Sequence, residues 1–112
     1  MARFAVLNKN GDFRALYYRG KTQVHSALVT YARKSRLGIA RAGITAGKKV
    51  GGAVQRNRCR RIIREAYRSL LPRIEGGWDI VFVARHHTVK MKSTQIKRIM
   101  EKQLIDLGVI KK

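Results

Sequence analysis

The sequence predicts a small α+β sandwich, running helix, two or three strands, helix, strand, helix. Three observations carry this: an apolar stripe sustained over residues 53–70, a nearly continuous apolar run from Trp78 to Ala84, and a stretch rich in β-branched and aromatic residues from Thr22 onward. A chain of 112 residues supports one domain, here taken as residues 1–112, with a modest core. The only proline is Pro72, and no Pro/Gly/Ser linker, repeat or low-complexity segment divides the chain.

The first element follows the turn signal Asn10-Gly11-Asp12. Phe13, Leu16 and Tyr17 fall at helical spacing, with Asp12 as expected N-cap and Gly20 as stop. Alternation through Ala27, Val29 and Tyr31 predicts a strand over 22–32. Arg33 to Arg36 is the expected turn, and Leu37 to Thr45 a second strand, the two forming an antiparallel hairpin. Gly38 and Gly43 within it hint at bulges or close backbone approach. The next helix, from Ala53 to Leu70, is the strongest prediction: Cys59, Ile62, Ile63, Ala66, Tyr67 and Leu70 recur on one stripe, and Pro72 and Gly76-Gly77 end it. Trp78 to Ala84 reads as a strand buried on both faces. A last helix from about Ser93 carries Ile96, Ile99, Met100, Leu104 and Leu107 on one face and stops at Gly108.

Charge sets the functional class. Lys and Arg number 26 against 6 Asp and Glu, a formal net charge of +20. Such a domain repels itself, and a phosphate backbone is the usual partner, because each cation that meets a phosphate releases a condensed counterion. An anionic membrane would favour one basic amphipathic helix, whereas here the cations spread from Arg3 to Lys112 over several elements. The lone Cys59 excludes an internal disulfide and suits a reducing, cytoplasmic setting; no apolar run approaches a membrane span, and Met1 to Phe4 lack the apolar stretch of a secretory leader.

The richest stretch is residues 48–65. At 100° per residue, Asn57, Arg60, Arg61, Arg64 and Arg68 fan over one arc opposite the apolar stripe, with Arg56 at its border. With its apolar side on a sheet, this helix presents a ridge of planar guanidinium forks, each matched to two phosphate oxygens. A merely solubilising face would mix in acids, and only Glu65 does so. Asn57 adds a donor and an acceptor suited to a base edge, a ribose or a metal-bound water.

The same stretch, Lys48-Lys49-Val50-Gly51-Gly52-Ala53-Val54-Gln55-Arg56-Asn57-Arg58-Cys59-Arg60-Arg61 and on through Arg64-Glu65, resembles the core of the bacterial ribonuclease P protein family nearly position for position. The resemblance extends to Asn10, Asp12 and Phe13, to Arg41 and Gly43, and to Asp79-Ile80-Val81 with Ala84-Arg85. It departs at Gly47, where the family usually has Ser, at Gly52, commonly Asn, and at Val6, often basic; these changes loosen the loop and remove possible hydrogen bonds. The resemblance implies a protein subunit for a catalytic RNA that removes the 5′ leader of precursor tRNA. It further implies an αβββαβα sandwich with a left-handed βαβ crossover, a fold shared with a domain of a small-subunit ribosomal protein. Carried over by position, the RNA-facing group is Lys48, Lys49, Arg56, Asn57, Arg58, Arg60, Arg61 and Arg64, with Arg68 continuing it, and the leader cleft is lined by Phe13, Tyr17 and Tyr31. Aromatic faces beside a basic helix suit stacking of unpaired nucleotides, although ordinary core packing explains any one of the three equally well. The implied partners are ribonuclease P RNA and precursor tRNA, with no membrane and no obligate protein partner. The implied cofactor is Mg²⁺, held mainly by the RNA.

The chain itself offers little to a hydrolytic mechanism. Two-metal nucleases cluster carboxylates, but Asp12, Glu65, Glu75, Asp79, Glu101 and Asp106 are scattered. His86 and His87 are adjacent in a probable loop, where neighbours rarely converge on one atom, and His25 stands apart. Cys59 lies on the apolar stripe, as a core residue does. No catalytic or metal-ligating residue is therefore expected. A structural ribosomal RNA-binding protein suits the composition equally well; the Arg-Asn-Arg core and the aromatics separate the two readings. A DNA-binding domain is weaker, since there is no dimerising seam or helix-turn-helix pattern.

Overall fold

The computed structural model describes residues 5–7 and 10–112; the segment Met1 to Phe4 considered above lies outside them. The elements in chain order are β1 (Ala5–Val6), α1 (Asn10–Arg19), β2 (Lys21–His25), β3 (Leu28–Lys34), β4 (Ala40–Thr45), α2 (Ala53–Leu70), β5 (Trp78–Ala84) and α3 (Ser93–Asp106). The strands form one five-stranded sheet in the order β1-β4-β5-β3-β2. Apart from the two-residue edge strand β1, this is the predicted αβββαβα order.

β5 owes its central place to composition. It is a nearly unbroken apolar run with seven residues, most of them buried, so only a position with neighbours on both edges and cover on both faces satisfies it. It pairs antiparallel with β3 (Tyr31 opposite Val81) and parallel with β4 (Gly43 opposite Val81). The parallel pair is bridged by α2, the βαβ crossover that the resemblance implies. Alternation along β5 builds two cores. Ile80, Phe82 and Ala84 meet α2 and α3 in the main cluster, where Phe82 lies 5.3 Å from the ring of Tyr67. Val81 joins Leu7 and Leu16 in a smaller cluster under α1, with Phe13, Tyr31 and Val83 packed against it.

Two sequence expectations are corrected. The strands flanking residues 33–36 do not form a hairpin, because β5 inserts between β3 and β4. The insertion is sealed by Ser35 N–H donating to Gly77 O (3.0 Å) and Trp78 N–H to Ile39 O (3.2 Å). Gly77 is required there: a Cβ would lie 2.4 Å from Ser35 O. The run over 22–32 is not one strand but the hairpin β2–β3, paired from Lys21 opposite Ala32 to His25 opposite Leu28. Its turn has no Gly, Pro or Asn to announce it; instead His25 Nδ1 accepts the Ala27 N–H (3.0 Å) and Ala27 O accepts the Thr88 hydroxyl (2.6 Å). Smaller shifts are that β4 starts at Ala40, leaving Leu37 and Ile39 exposed, and that α1 starts at Asn10, which places Asp12 in its first turn rather than at its cap.

A buried polar tie fastens α3 to this hairpin. Gln103 accepts the Thr30 hydroxyl (2.6 Å) and donates to Leu28 O (2.9 Å) and Gln23 O (3.3 Å). No described helix is long and apolar enough to cross a membrane.

Candidate nucleic-acid interface

α2 is amphipathic in the sense the sequence demands. Cys59, Ile62, Ile63, Ala66, Tyr67 and Leu70 are buried, while Asn57, Arg58, Arg61, Arg64 and Arg68 are exposed and Arg56 and Arg60 half-buried. Its entry is a single 3-10 turn, Lys48–Val50, on which both lysines are exposed. Gly51 follows at φ 145°, a conformation that favours glycine, and a Cβ there would press on Gln55 at 2.9 Å. Gly52 is the N-cap and supplies no side-chain bond, and the first turn holds no acid. The positive end of the helix dipole is therefore neither capped by a side chain nor neutralised beside Lys48 and Lys49. An Asn in place of Gly52 would supply a side-chain cap.

Two of the predicted contacts also serve the protein. Arg60 donates to Asn57 Oδ1 (3.0 Å), and Arg58 Nε donates to Val89 O (3.1 Å), tying α2 to the turn His86–Lys90. Arg61, Arg64 and Arg68 make no hydrogen bond or ion pair with other described residues, so their forks face solvent. Arg56 Nε is buried without a hydrogen-bond partner among the described residues.

Arg60, Arg64 and Arg68, one turn apart along α2, form a wall of a groove of about 530 Å³ whose other walls are Val6, Leu7, Phe13, Ala42, Gly43 and Ile44. Across Phe13 lies a second hollow of about 430 Å³, lined by Phe13, Arg14, Tyr17 and Thr45. Gly43 makes this possible, since a Cβ there would meet Phe13 Cζ at 2.7 Å and Leu7 O at 2.8 Å. The hint of close backbone approach in the sequence was this contact. Tyr31 lines neither hollow; it stands edge-on to Tyr17 at 4.9 Å and sets that ring. Burial pushes the Tyr17 phenol above its ordinary value, with the Thr45 hydrogen bond opposing and Tyr31 reinforcing the shift, so the hydroxyl stays neutral at physiological pH.

The structure thus joins the arginine row and the aromatics across one residue, Phe13. Sequence reasoning missed Arg14 and Thr45, which flank Phe13 and Tyr17 in the second hollow. Helical spacing places Arg14 beside Phe13, but Thr45 comes from a strand whose register depends on β5, and nothing local signals it.

Among the described residues, no group of three or more His, Cys, Asp or Glu is positioned to hold a metal ion. Asp79 is held bidentately by Arg41, with both contacts at 2.9 Å, and Glu101 is paired with Arg73. His86 and His87 are exposed with ring centroids 4.2 Å apart. Cys59 is buried, and burial pushes its thiol up against the opposing influence of Arg58 and Arg60, which leaves little thiolate.

Fold and site define a class: a basic α+β nucleic-acid-binding protein whose arginine-faced helix borders an aromatic groove. A family model described as Ribonuclease P matches residues 1–108. The ribonuclease P protein component of Clostridium kluyveri is 36% identical over 107 residues, covering 94% of this chain and 96% of that one. The Staphylococcus aureus RNase P protein superposes with a TM-score of 0.84 at 30% identity, covering 96% of this chain and 99% of that chain. A mutant of the Staphylococcus aureus protein with defective mRNA degradation activity superposes at 0.83 with 31% identity, covering 93% and 88%. The chain belongs to the ribonuclease P protein family, the protein subunit of an endoribonuclease that processes tRNA. The ribosomal alternative is not favoured.

Proposed function

We propose that this chain, acting as one RNA-binding domain in the cytoplasm without an obligate protein partner, grips the catalytic RNA of ribonuclease P and the 5′ leader of precursor tRNA together. Lys48, Lys49, Asn57, Arg61, Arg64 and Arg68 meet the RNA subunit, helped by Arg56, Arg58 and Arg60, and the hollows on either side of Phe13 take the leader. The observation that supports this reading most is the shared Phe13: a strand leaving the arginine row enters the aromatic hollow without a break. Cleavage belongs to the RNA. Among the described residues the acids form no group that could hold a metal ion, and in this reading Mg²⁺ is held by the RNA, whose geometry the protein fixes. A cationic surface repels loosely held ions, so any metal benefit comes from ordering phosphates rather than attracting Mg²⁺.

In this reading the protein alone does not cleave RNA, and the mRNA degradation named for the Staphylococcus aureus relative makes that worth testing directly. RNA-free preparations incubated with precursor tRNA are expected to release no product above buffer; reproducible cleavage would contradict the assignment. The leader site has a sharper test. Phe13→Ala and Tyr17→Ala are expected to reduce the holoenzyme's preference for precursor over leaderless tRNA about tenfold each, the scale of one lost stacking contact. Equal losses for the two substrates would place these rings in the core alone.

A further inference from the structure

The arginine face and the leader groove lie at the β1–β4 edge of the sheet. They leave unexplained why the rest of the molecule is also cationic. Eight of the 26 Lys and Arg lie between Lys48 and Arg68 in the proposed RNA-facing set, and the other 18 still outnumber the six acids threefold. At the opposite edge of the sheet, β2 is the terminal strand, and between it and α3 runs a separate groove of about 340 Å³. Its helical wall carries Arg98 and Lys102, both exposed and one turn apart, with Asp106 closing the row a turn further on. Its strand wall is Gln23, Val24 and His25.

Three features make this groove fit a phosphate backbone. The floor residue Gln103 spends its amide on Thr30, Leu28 and Gln23, so it is a fixed base and makes no demand on a ligand. His25 Nδ1 accepts the Ala27 N–H, which places the ring proton on Nε2 and leaves that nitrogen as a donor. The exposed Lys21 extends the cationic edge along β2. We propose that the β2–α3 groove is a second RNA-backbone site, binding a segment of the RNA subunit distinct from the one that meets α2. Because the two sites lie at opposite edges of a body measuring 36 × 29 × 25 Å, one phosphate track along α2 does not reach both. A second copy of this chain is the poorer occupant, since each copy brings a net charge of +20.

The proposal rests on the ribonuclease P reading and is tested beside it. Binding of full-length chain to a bacterial ribonuclease P RNA is measured across a salt series for three variants. Arg98→Ala with Lys102→Ala is expected to weaken binding about tenfold and to flatten the log–log salt slope by about 1.5, the release of two phosphate contacts. Lys111→Ala with Lys112→Ala removes the same charge elsewhere and is expected to change affinity by less than about twofold and to leave the slope unchanged. Arg64→Ala reports on the reading itself; if it too is silent, the RNA assignment fails, whereas loss there without loss at Arg98 and Lys102 overturns only the second site. Equal losses from both double variants, or sedimentation showing a dimer that Arg98→Ala with Lys102→Ala dissolves, would also overturn it.

Discussion

Gln103→Leu is expected to destabilise the protein by about 3 kcal/mol. The amide is buried and holds three partners on the β2–β3 hairpin, the Thr30 hydroxyl at 2.6 Å among them. Leucine fills the space yet leaves the Thr30 hydroxyl and the Gln103-facing lone pairs of Leu28 and Gln23 without this partner, and each buried group so stranded costs about 1–3 kcal/mol. For a chain of this size that is a fall of roughly 15 °C in Tm by calorimetry. The partner substitution argues the cause: Thr30→Val in the Gln103→Leu background removes the stranded donor and is expected to recover about 1 kcal/mol, whereas Thr30→Val alone destabilises. A loss under about 0.5 kcal/mol for Gln103→Leu would show that the tie contributes little and that apolar packing alone holds α3 to the hairpin.

Removing the arginine row carries the largest expected effect on binding. Arg60→Ala, Arg64→Ala and Arg68→Ala together are expected to weaken binding to ribonuclease P RNA by about two to three orders of magnitude at roughly 0.15 M salt, and to lower the salt slope by about 2 to 2.7. Stability should change little: Arg64 and Arg68 are exposed and make no hydrogen bond or ion pair with other described residues, and Arg60 gives up only its exposed bond to Asn57. The three matching lysine replacements separate charge from geometry. Lysine keeps the counterion term and so the slope, but it cannot present a planar fork to two phosphate oxygens, so about a tenfold loss in affinity should remain. Full affinity in the lysine set would reduce the row to a diffuse cationic field.

Much of this was legible in the sequence, and the illegible part has a common cause. Both long helices and β5 announce themselves because burial on one side repeats at a fixed period, so Ala53–Leu70 and Trp78–Ala84 fall where the pattern puts them. The ridge of Arg61, Arg64 and Arg68 follows from the same wheel. What periodicity does not report is which strands are neighbours. Residues 33–36 look like a hairpin turn because the competitor for pairing, β5, arrives forty residues later and takes the middle of the sheet. The β2–β3 turn was hidden because His25 and Thr88 supply the bonds that Gly or Asn usually supply, and Thr88 lies 61 residues away. For the same reason the aromatics were only half readable. Phe13 and Tyr17 share a helix face by spacing, but that Phe13 opens onto the arginine row depends on Gly43 being free of a side chain. That Tyr31 props Tyr17 depends on the packing of α1 on β3.

The central claim is that the arginine row and the aromatic groove serve one RNA-catalysed reaction. Its most direct test is cleavage of a 5′-extended precursor tRNA by a bacterial ribonuclease P RNA at low Mg²⁺, with and without this chain. The expected result is rescue of cleavage that weakens stepwise as Arg56, Arg60 and Arg64 are changed to Ala. No rescue with any compatible RNA, from a chain that still binds RNA tightly, would contradict it.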